Sequence, residues 1–272
     1  MDLIKTINAI SDVIQNRPAP IREFDQIYMK AGDMVLQSDI IAKWSNDKKL
    51  VFIGDGDAIS ICMAHLKNSK IIDYGPKKIT VFDFDERICN AISRFADMEK
   101  IEWLNAKHYN CAEPIPKEVE EFDCFYTNPP WGQRNNGESV KVFIKRGIEL
   151  IRNKGEGVIV IASDKELEWT QNVLTKVQEF LIKSGFFVNE MMPELHSYHL
   201  DDAPNLKSCN IFVKSSPNNI ETRLSKKLTK KQLENFYGKD NHLKVRFIKE
   251  NIRLDYGKAH EDEYELILYR ED

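Results

Sequence analysis

The sequence predicts an α/β fold in which helices cover both faces of a mostly parallel sheet. Three observations support this prediction. Short, continuous apolar runs recur along the chain, stretches of helical length separate them, and polar or glycine-rich residues stop several of the runs. Strands buried on both faces read as continuous apolar runs, whereas strands with one exposed face alternate. A length of 272 residues suits one such domain with an appendage.

The composition indicates a soluble, cytoplasmic protein. Hydrophobic residues make up 42% of the chain and charged residues 30%, which is typical of globular proteins. No apolar run approaches the roughly 18 residues of a membrane span, and the first residues are too polar for a signal peptide. Five scattered cysteines without a C-x-x-C pair predict free thiols, and neither a disulfide framework nor a metal site. The net charge of −4 argues against a dedicated duplex-DNA binder, because phosphate contacts favour basic proteins.

The pattern of apolar residues divides the chain into three regions. Residues 1–45 are predicted to form an N-terminal helical segment, broken by an R-P-A-P sequence. Residues 46–216 are predicted to form a Rossmann-like catalytic domain. Residues 217–272 are predicted to form a small C-terminal appendage with a basic stretch and two strands. The basic stretch reads as a solvated helix face, or as a contact to a nucleic acid or an acidic partner.

Strands and helices alternate within the predicted catalytic domain. The strands are expected at 50–53, at 79–82, shortly before Asn110, and at 122–126, 157–162, 186–191 and 210–214. Helices are expected in this domain at 59–66, 86–98, 141–151 and 168–184, and a further helix is expected at 33–44 in the N-terminal segment. In open parallel sheets, ligands bind beyond the carboxyl ends of the strands. Residues 54–57, 83 and 128–131 each stop an apolar run, so we expect all three to lie at one edge of the sheet.

The sequence Asn128-Pro129-Pro130-Trp131 predicts a site that holds an amine. Two adjacent prolines remove two backbone N–H donors and fix two φ angles. The Asn128 amide oxygen and the Pro129 carbonyl can accept the hydrogens of a planar or cationic amine, and Trp131 offers a flat face. We expect these four residues, with Asp57, to form the catalytic centre. The alternative is an ordinary turn at the end of a strand, where proline is common.

The first predicted strand ends in a turn that can accept a nucleoside cofactor. Gly54 and Gly56 allow a sharp turn and a close approach to a ligand. Asp55 and Asp57 would repel a pyrophosphate and attract a cation, which favours S-adenosylmethionine or its decarboxylated form, since both are sulfonium compounds. Asp83 is predicted to accept both ribose hydroxyls; the alternative is that it caps the next helix.

Three further signals lie outside these turns. Asn110 can pair with the edge of adenine, or it is a plain turn residue. His196 and His199 have H-x-x-H spacing, which alone does not predict a metal, and no metal is expected. Asp201 and Asp202 are predicted to bind the substrate as an acidic lip that pairs with polyamine ammonium groups, with Trp131 beside the same substrate; the alternative is that they cap a turn.

These residues resemble those of class I S-adenosylmethionine-dependent methyltransferases, and N-P-P-W is similar to the motif of those that methylate exocyclic amines. A closer resemblance is to the branched-chain polyamine synthase (bis(aminopropyl)spermidine synthase) family. It runs from Arg17 to about Val213 and includes residues 17–26, 52–57, 81–87, 122–130 and 142–150. The resemblance implies a class I methyltransferase fold with a mostly parallel seven-stranded sheet. Tyr28 lies within the matching region, and we place it among the cofactor-binding residues. The polyamine synthases carry an acidic G-D-D-D turn and a D-P-P site, where this chain has Gly56 and Asn128.

The resemblance implies a transferase that alkylates an amine nitrogen from a sulfonium nucleoside. The first hypothesis is aminopropyl transfer from decarboxylated S-adenosylmethionine to a polyamine, in which Asp57, Asp201 or Asp202 would help to remove a proton from the ammonium group. The second is an S-adenosylmethionine-dependent N-methyltransferase acting on a nucleic-acid base, a protein or a small-molecule amine, which Asn128 and Trp131 favour. The third is a catalytically silent family member that binds a nucleoside or a partner protein. A polyamine is the expected partner, no membrane partner is expected, and a nucleic acid and a homodimer stay open.

Overall fold

A computed structural model describes residues 2–200, 203–217, 225–238, 242–251 and 264–269. The chain forms two compact units, the first made of Met1–Asn110 with Val245–Asp272, and the second of Cys111–Lys244. The predicted acidic lip, Asp201 and Asp202, lies outside the described residues.

The secondary structure alternates between helices and strands through most of the chain. The helices are α1 (Leu3–Asn16), α2 (Ala31–Trp44), α3 (Ile59–Asn68), α4 (Glu86–Glu99), α5 (Glu138–Leu150), α6 (Glu168–Lys183) and α7 (Lys230–Glu234). The strands are β1 (Lys49–Ile53), β2 (Lys78–Asp83), β3 (Leu104–His108), β4 (Cys124–Thr127), β5 (Glu156–Ala162), β6 (Phe186–Ser197), β7 (Lys207–Ser215), β8 (Val245–Glu250) and β9 (Tyr264–Leu268). No helix in the described part of the chain is long and apolar enough to cross a membrane.

Seven strands form one sheet in the order β3-β2-β1-β4-β5-β7-β6, and β8 pairs with β9 in a separate antiparallel pair. β1 pairs with β2 in parallel, as do β2 with β3 and β4 with β5. β7 runs antiparallel to both β5 and β6. The predicted α/β class and the mostly parallel, seven-stranded sheet are therefore confirmed.

Strand β6 is longer than the predicted 186–191, since it continues to Ser197. Its pairing with β7 shifts register between Val188 and Glu190 and again between Met192 and His196. A bulge breaks the two-residue alternation of side chains, which is the sequence signal for a strand. The alternating pattern in the sequence is therefore lost after residue 191, although the strand continues to Ser197.

In the first unit, the apolar runs at 50–53 and 79–82 become the buried strands β1 and β2. Ile53 lies opposite Phe82, and the Gly54 N–H donates to the Phe82 carbonyl at 2.8 Å. The two strands therefore end side by side, and the residues that follow them are neighbours.

In the second unit, β4 is buried along its whole length and leads directly into Asn128. Two glycines allow the neighbouring elements to approach it closely. A Cβ atom added at Gly147 of α5 would lie 2.4 Å from the Phe125 ring, and one at Gly157 of β5 would lie 2.2 Å from it. Any larger residue at either position would push α5 or β5 away from β4.

The described residues of the predicted appendage fall into both units. Residues 217, 225–238 and 242–244 belong to the second unit, and residues 245–251 and 264–269 belong to the first. The boundaries at 45/46 and 216/217 stay predictions.

Candidate active site

The turn at residues 54–57, called here the glycine turn, is shaped by Asp55. Gly54 has a left-handed φ of 76°. The Asp55 carboxylate accepts hydrogen bonds from the N–H groups of Ile59 and Ser60, at 3.0 and 3.1 Å, and from the Ser60 hydroxyl. Ala58, at the N-cap of α3, offers no side-chain cap of its own. Asp55, which the sequence analysis predicts to bind the cofactor, therefore caps the first turn of α3. Burial raises the pKa of its carboxyl well above the usual range, although the Ser60 hydrogen bonds oppose that rise.

Asp83 ends β2 and is tied to the glycine turn. Its carboxylate accepts the N–H of Asp55 at 3.0 Å and the N–H of Asp85 at 2.9 Å. The residue is only 5% exposed. Burial, followed by the charge of Asp85, raises the pKa of the Asp83 carboxyl to about 7. The structure thus brings the predicted ribose-binding residue and the glycine turn together.

A buried ion pair, which the sequence analysis missed, supports Asp83. Asp85 and Arg87 are 0% and 1% exposed. The Arg87 Nε and Nη2 donate to the two carboxylate oxygens of Asp85, at 2.9 and 2.6 Å. Asp85 also accepts the Arg87 N–H at 3.1 Å as the N-cap of α4 and the Gln26 side-chain amide at 2.9 Å. Part of this had a signal in the sequence, since Asp is a preferred N-cap residue and Asp85 directly precedes the predicted helix at 86–98.

Residues 17–30, called here the N-terminal strap, pack onto Asp57. The Asp57 carboxylate accepts the N–H of Met29 at 2.7 Å, and its main-chain carbonyl accepts Nη1 of Arg17 at 3.0 Å. The Arg17 guanidinium lies 4.1 Å from the centroid of the Tyr28 ring. Asp57, which the sequence placed in the catalytic centre, is buried in these contacts.

Tyr28 explains why residue 56 is a glycine. A Cβ atom added at Gly56 would lie 3.2 Å from Cε1 of the Tyr28 ring, which is tighter than an ordinary contact. The Tyr28 hydroxyl donates to the Pro18 carbonyl at 3.0 Å, so the ring is fixed at both ends. Burial raises the pKa of the Tyr28 hydroxyl, which therefore stays protonated at neutral pH. The structure places this predicted cofactor-binding residue directly against the glycine turn.

Asn110 contacts the C-terminal strand β8. Its side-chain Nδ2 donates to the Arg246 carbonyl at 2.6 Å. In the same strand, the Ile248 N–H donates to the Phe84 carbonyl at 3.1 Å. Strand β8 therefore holds both Asn110 and the loop that follows β2, a contact that the sequence did not indicate.

Residues 128–131, called here the acceptor loop, are hydrogen-bonded to polar side chains that follow them in the same unit. Asn128 and Pro130 are partly exposed, whereas Pro129 and Trp131 are buried. The Ser139 hydroxyl donates to the Pro130 carbonyl at 3.0 Å, and Asn135 Nδ2 donates to the Ser139 hydroxyl at 3.3 Å. These bonds fix the part of the loop that follows Asn128.

Gly132 allows the acceptor loop to turn back on itself. It has a left-handed φ of 74°, and a Cβ atom there would lie 2.3 Å from Oδ1 of Asn135. Asn135 Nδ2 also donates to the main-chain carbonyls of Asn235 and Phe236. The segment around α7 is thereby attached to the residues that follow the acceptor loop.

The two histidines with H-x-x-H spacing lie in different environments. His196 is buried, and its Nδ1 lies 2.9 Å from the Ser208 hydroxyl, whereas His199 is exposed. Among the residues that the structure describes, no group of three or more His, Cys, Asp or Glu side chains is arranged to hold a metal ion.

The seven-stranded sheet, with an acidic residue at the end of β2, defines the fold of class I methyltransferases. A solved structure of a proposed RNA methyltransferase from Pyrococcus horikoshii aligns with a TM-score of 0.57 at 12% identity, covering 78% of this chain and 99% of that one. The branched-chain polyamine synthase from Thermus thermophilus, solved with N4-aminopropylspermidine and 5'-methylthioadenosine, aligns with a TM-score of 0.62 at 22% identity, covering 81% and 69%.

A family model gives the more specific assignment. The model of the branched-chain polyamine synthase A C-terminal domain matches residues 5–265, so this chain belongs to that family. The N(4)-bis(aminopropyl)spermidine synthase of Thermococcus kodakarensis is 27% identical over 152 residues, which is 55% of this chain. That match spans 40% of the relative's own length.

Proposed function

We propose that this chain transfers an aminopropyl group from decarboxylated S-adenosylmethionine to a nitrogen of a polyamine. The extent of the family match is the observation that supports this most, because residues 5–265 include both the glycine turn and the acceptor loop. A relative is named for the synthesis of a bis(aminopropyl)spermidine, and a solved neighbour binds a polyamine with a methylthio nucleoside.

The first unit carries groups suited to the nucleoside. The Asp83 carboxylate has two oxygens that can accept ribose hydroxyls in addition to the two main-chain N–H groups, since an ionised carboxylate has about four acceptor positions. Gly54, with its left-handed φ of 76°, lets the backbone turn sharply beside a ligand, and Gly56 leaves room for the Tyr28 ring. We assign cofactor binding to the glycine turn, Asp83 and Tyr28, and keep Asn110 as the proposed contact to adenine.

The charges of the first unit favour the decarboxylated donor over S-adenosylmethionine itself. Four buried carboxylates lie in the glycine turn and at the end of β2, namely Asp55, Asp57, Asp83 and Asp85. Two buried arginines accompany them: Arg87 pairs with Asp85, whereas Arg17 donates to a main-chain carbonyl. A sulfonium or ammonium group would stabilise the ionised carboxylates, and an additional carboxylate on the ligand would be repelled.

The second unit carries groups suited to the amine. The reaction is a displacement in which the nitrogen lone pair attacks the propyl carbon bonded to sulfur. The C–N bond forms, the C–S bond breaks, and the sulfur leaves as the neutral thioether 5'-methylthioadenosine, while the nitrogen loses a proton. The Asn128 oxygen and the Pro129 carbonyl would orient the amine by accepting its hydrogens, and Trp131 would pack against it.

The attacking nitrogen must be neutral, although alkyl amines have pKa values of about 10 and are mainly charged at pH 7. Asn128 has no basic group, so the proton must leave to another residue or to water. We propose Asp57, Asp201 and Asp202 for this step, and Asp201 and Asp202 also for binding the other ammonium groups of the polyamine. We propose residues 46–216 as the part of the chain that performs the chemistry.

A second candidate function is N-methylation by S-adenosylmethionine. Asn128 favours it, because an exocyclic amine is already neutral and needs hydrogen-bond acceptors more than a base. Basic residues also lie in the segment attached to Asn135, where the exposed lysines are Lys226, Lys227, Lys230 and Lys231. That charge would suit a polyanionic substrate such as a nucleic acid.

Calorimetry distinguishes these functions. We expect decarboxylated S-adenosylmethionine and 5'-methylthioadenosine to bind more tightly than S-adenosylmethionine and S-adenosylhomocysteine, and Asp83→Ala to abolish nucleoside binding with the fold retained. The control is Asp73→Ala, which removes an exposed aspartate of the same unit. Preference for S-adenosylmethionine would replace the first function by the second, and binding of none of the four would indicate a silent family member.

A further inference from the structure

A buried aromatic and polar cluster in the second unit starts at Trp131 of the acceptor loop. Trp131 is 9% exposed, and its indole N–H has no hydrogen-bond partner among the described residues. A buried indole N–H normally finds a partner. Because this one does not, the orientation of Trp131 depends on the side chains that pack against it.

Tyr198 provides the aromatic contact. The two ring centroids are 4.8 Å apart and the ring planes meet at 83°. Such edge-to-face pairs are directional, because the positive edge of one ring lies on the negative face of the other. Tyr198 therefore constrains the tilt of Trp131 as well as its position.

The Tyr198 hydroxyl is itself anchored. It lies 2.8 Å from the Ser208 hydroxyl, which lies 2.9 Å from Nδ1 of His196. His196 and Tyr198 are two residues apart and so project to the same side of an extended chain. Ser208 of β7 pairs with Ala162 of β5, which places the anchor inside the sheet. A hydrogen-bonded chain thus runs from His196 through Ser208 to the ring that packs on Trp131.

We propose that Tyr198 is a positioning residue for the amine substrate, which acts by orienting Trp131, and that Ser208 and His196 hold it in place. This inference rests on the proposed function, in which Trp131 packs against the amine. It gives His196 a role that its H-x-x-H spacing with His199 did not indicate, and it assigns no proton transfer to the histidine.

Two substitutions test the role of the Tyr198 hydroxyl. Tyr198→Phe keeps the ring and removes the hydroxyl, and Ser208→Ala removes its partner. The emission of Trp131 is obtained for each protein by subtracting the spectrum of the same protein carrying Trp131→Phe. We expect both substitutions to shift this emission and to raise the KM for the polyamine about three- to tenfold, while the KM for the nucleoside changes by less than about twofold.

The matched control is Tyr74→Phe, which removes a tyrosine hydroxyl bonded to Asp39 in the first unit. It should alter neither the Trp131 emission nor the KM for the polyamine. Unchanged Trp131 emission in both test variants would overturn the proposal, as would an equal rise in KM for both substrates. If no transfer is detected with any nucleoside, the proposed function fails, and the emission spectra alone decide whether Tyr198 orients Trp131.

Discussion

The Asp83 carboxylate accepts a hydrogen bond from the main-chain N–H of Asp55 at 3.0 Å, and the Asp55 carboxylate in turn holds the first turn of α3. The carboxyl ends of β1 and β2 and the start of a helix are therefore joined through two buried acidic residues. Buried carboxylates are costly when ionised and unpaired. The arrangement is thus sensitive to pH and to bound cations.

The stability of the protein should depend on pH through Asp83. Its pKa is raised to about 7 in the folded protein, whereas an unfolded aspartate has a pKa of about 3.9. The folded state therefore binds this proton more tightly, so the contribution of Asp83 to the free energy of unfolding is lost as pH rises from about 4 to about 7. Asp83→Asn should weaken this dependence, while Asp55, whose pKa is also raised, retains part of it.

Urea unfolding at several pH values between about 5 and about 8 measures the effect. Asp73→Asn, at an exposed position of the same unit, should leave the slope unchanged. An identical pH dependence in wild type and Asp83→Asn would contradict the assignment of a raised pKa to this residue.

Gly56→Ala should weaken nucleoside binding through Tyr28. The added Cβ would lie 3.2 Å from Cε1 of Tyr28, so the ring must move by a few tenths of an ångström. We expect a several-fold loss of affinity for 5'-methylthioadenosine, measured by calorimetry. Gly32→Ala is the control, because its added Cβ would meet nothing within 4 Å beyond the adjoining backbone of its own helix.

A double-mutant cycle assigns the cause of that loss. In a Tyr28→Ala background, Gly56→Ala should have a smaller effect than in the wild type. Strict additivity of the two substitutions would show that Tyr28 is not the group that Gly56 accommodates.

Strand β8 should be held to the first unit chiefly by Glu250. Arg94 Nη1 and Nη2 donate to its two carboxylate oxygens at 2.9 and 3.1 Å, and Asn90 donates to it at 2.7 Å. Glu250→Gln should therefore cost about 1–3 kcal/mol of unfolding free energy, measured by urea denaturation, because hydrogen bonds to a charged group are among the stronger ones. It should also weaken nucleoside binding, since the same strand holds Asn110.

Glu179→Gln is the matched control, because it removes an exposed carboxylate that pairs with the exposed Lys183 at 3.7 Å. Exposed pairs of this kind contribute about 0–1 kcal/mol. Equal effects of the two substitutions would mean that the contact with Arg94 and Asn90 does not hold β8.

Asn128→Asp should favour a cationic acceptor. A carboxylate in the acceptor loop can both attract an ammonium group and accept its proton. We expect the KM for a polyamine to fall, with kcat retained or raised, in an assay of nucleoside thioether release. A loss of all transfer would indicate that the native reaction needs the neutral amide, as expected for N-methylation of an uncharged amine.

The sequence was sufficient for the fold and for the position of the turns. The runs at 50–53 and 79–82 are apolar along their whole length, and the polar residues that stop them mark the strand ends. The hydrogen bonds that the N–H groups of α3 donate to the Asp55 carboxylate also have a local signal, since an acidic residue shortly before a helix commonly caps it. The sequence therefore allowed two roles for Asp55, capping α3 and binding the cofactor.

Contacts between residues that are far apart in the chain could not be predicted from the sequence. The bond from Gln26 to Asp85 spans 59 positions, and the bond from Asn110 to Arg246 spans 136. Neither pair has a periodic or local pattern that would bring its members together. The bulges in β6 likewise concealed that His196 and Ser208 lie opposite each other.

Mass spectrometry of the products formed with spermidine and an equal mixture of S-adenosylmethionine and decarboxylated S-adenosylmethionine tests the central claim most directly. We predict an aminopropylated, branched spermidine together with 5'-methylthioadenosine, and no methylated polyamine. A methylated product with S-adenosylhomocysteine, or release of no thioether from either nucleoside, would contradict it.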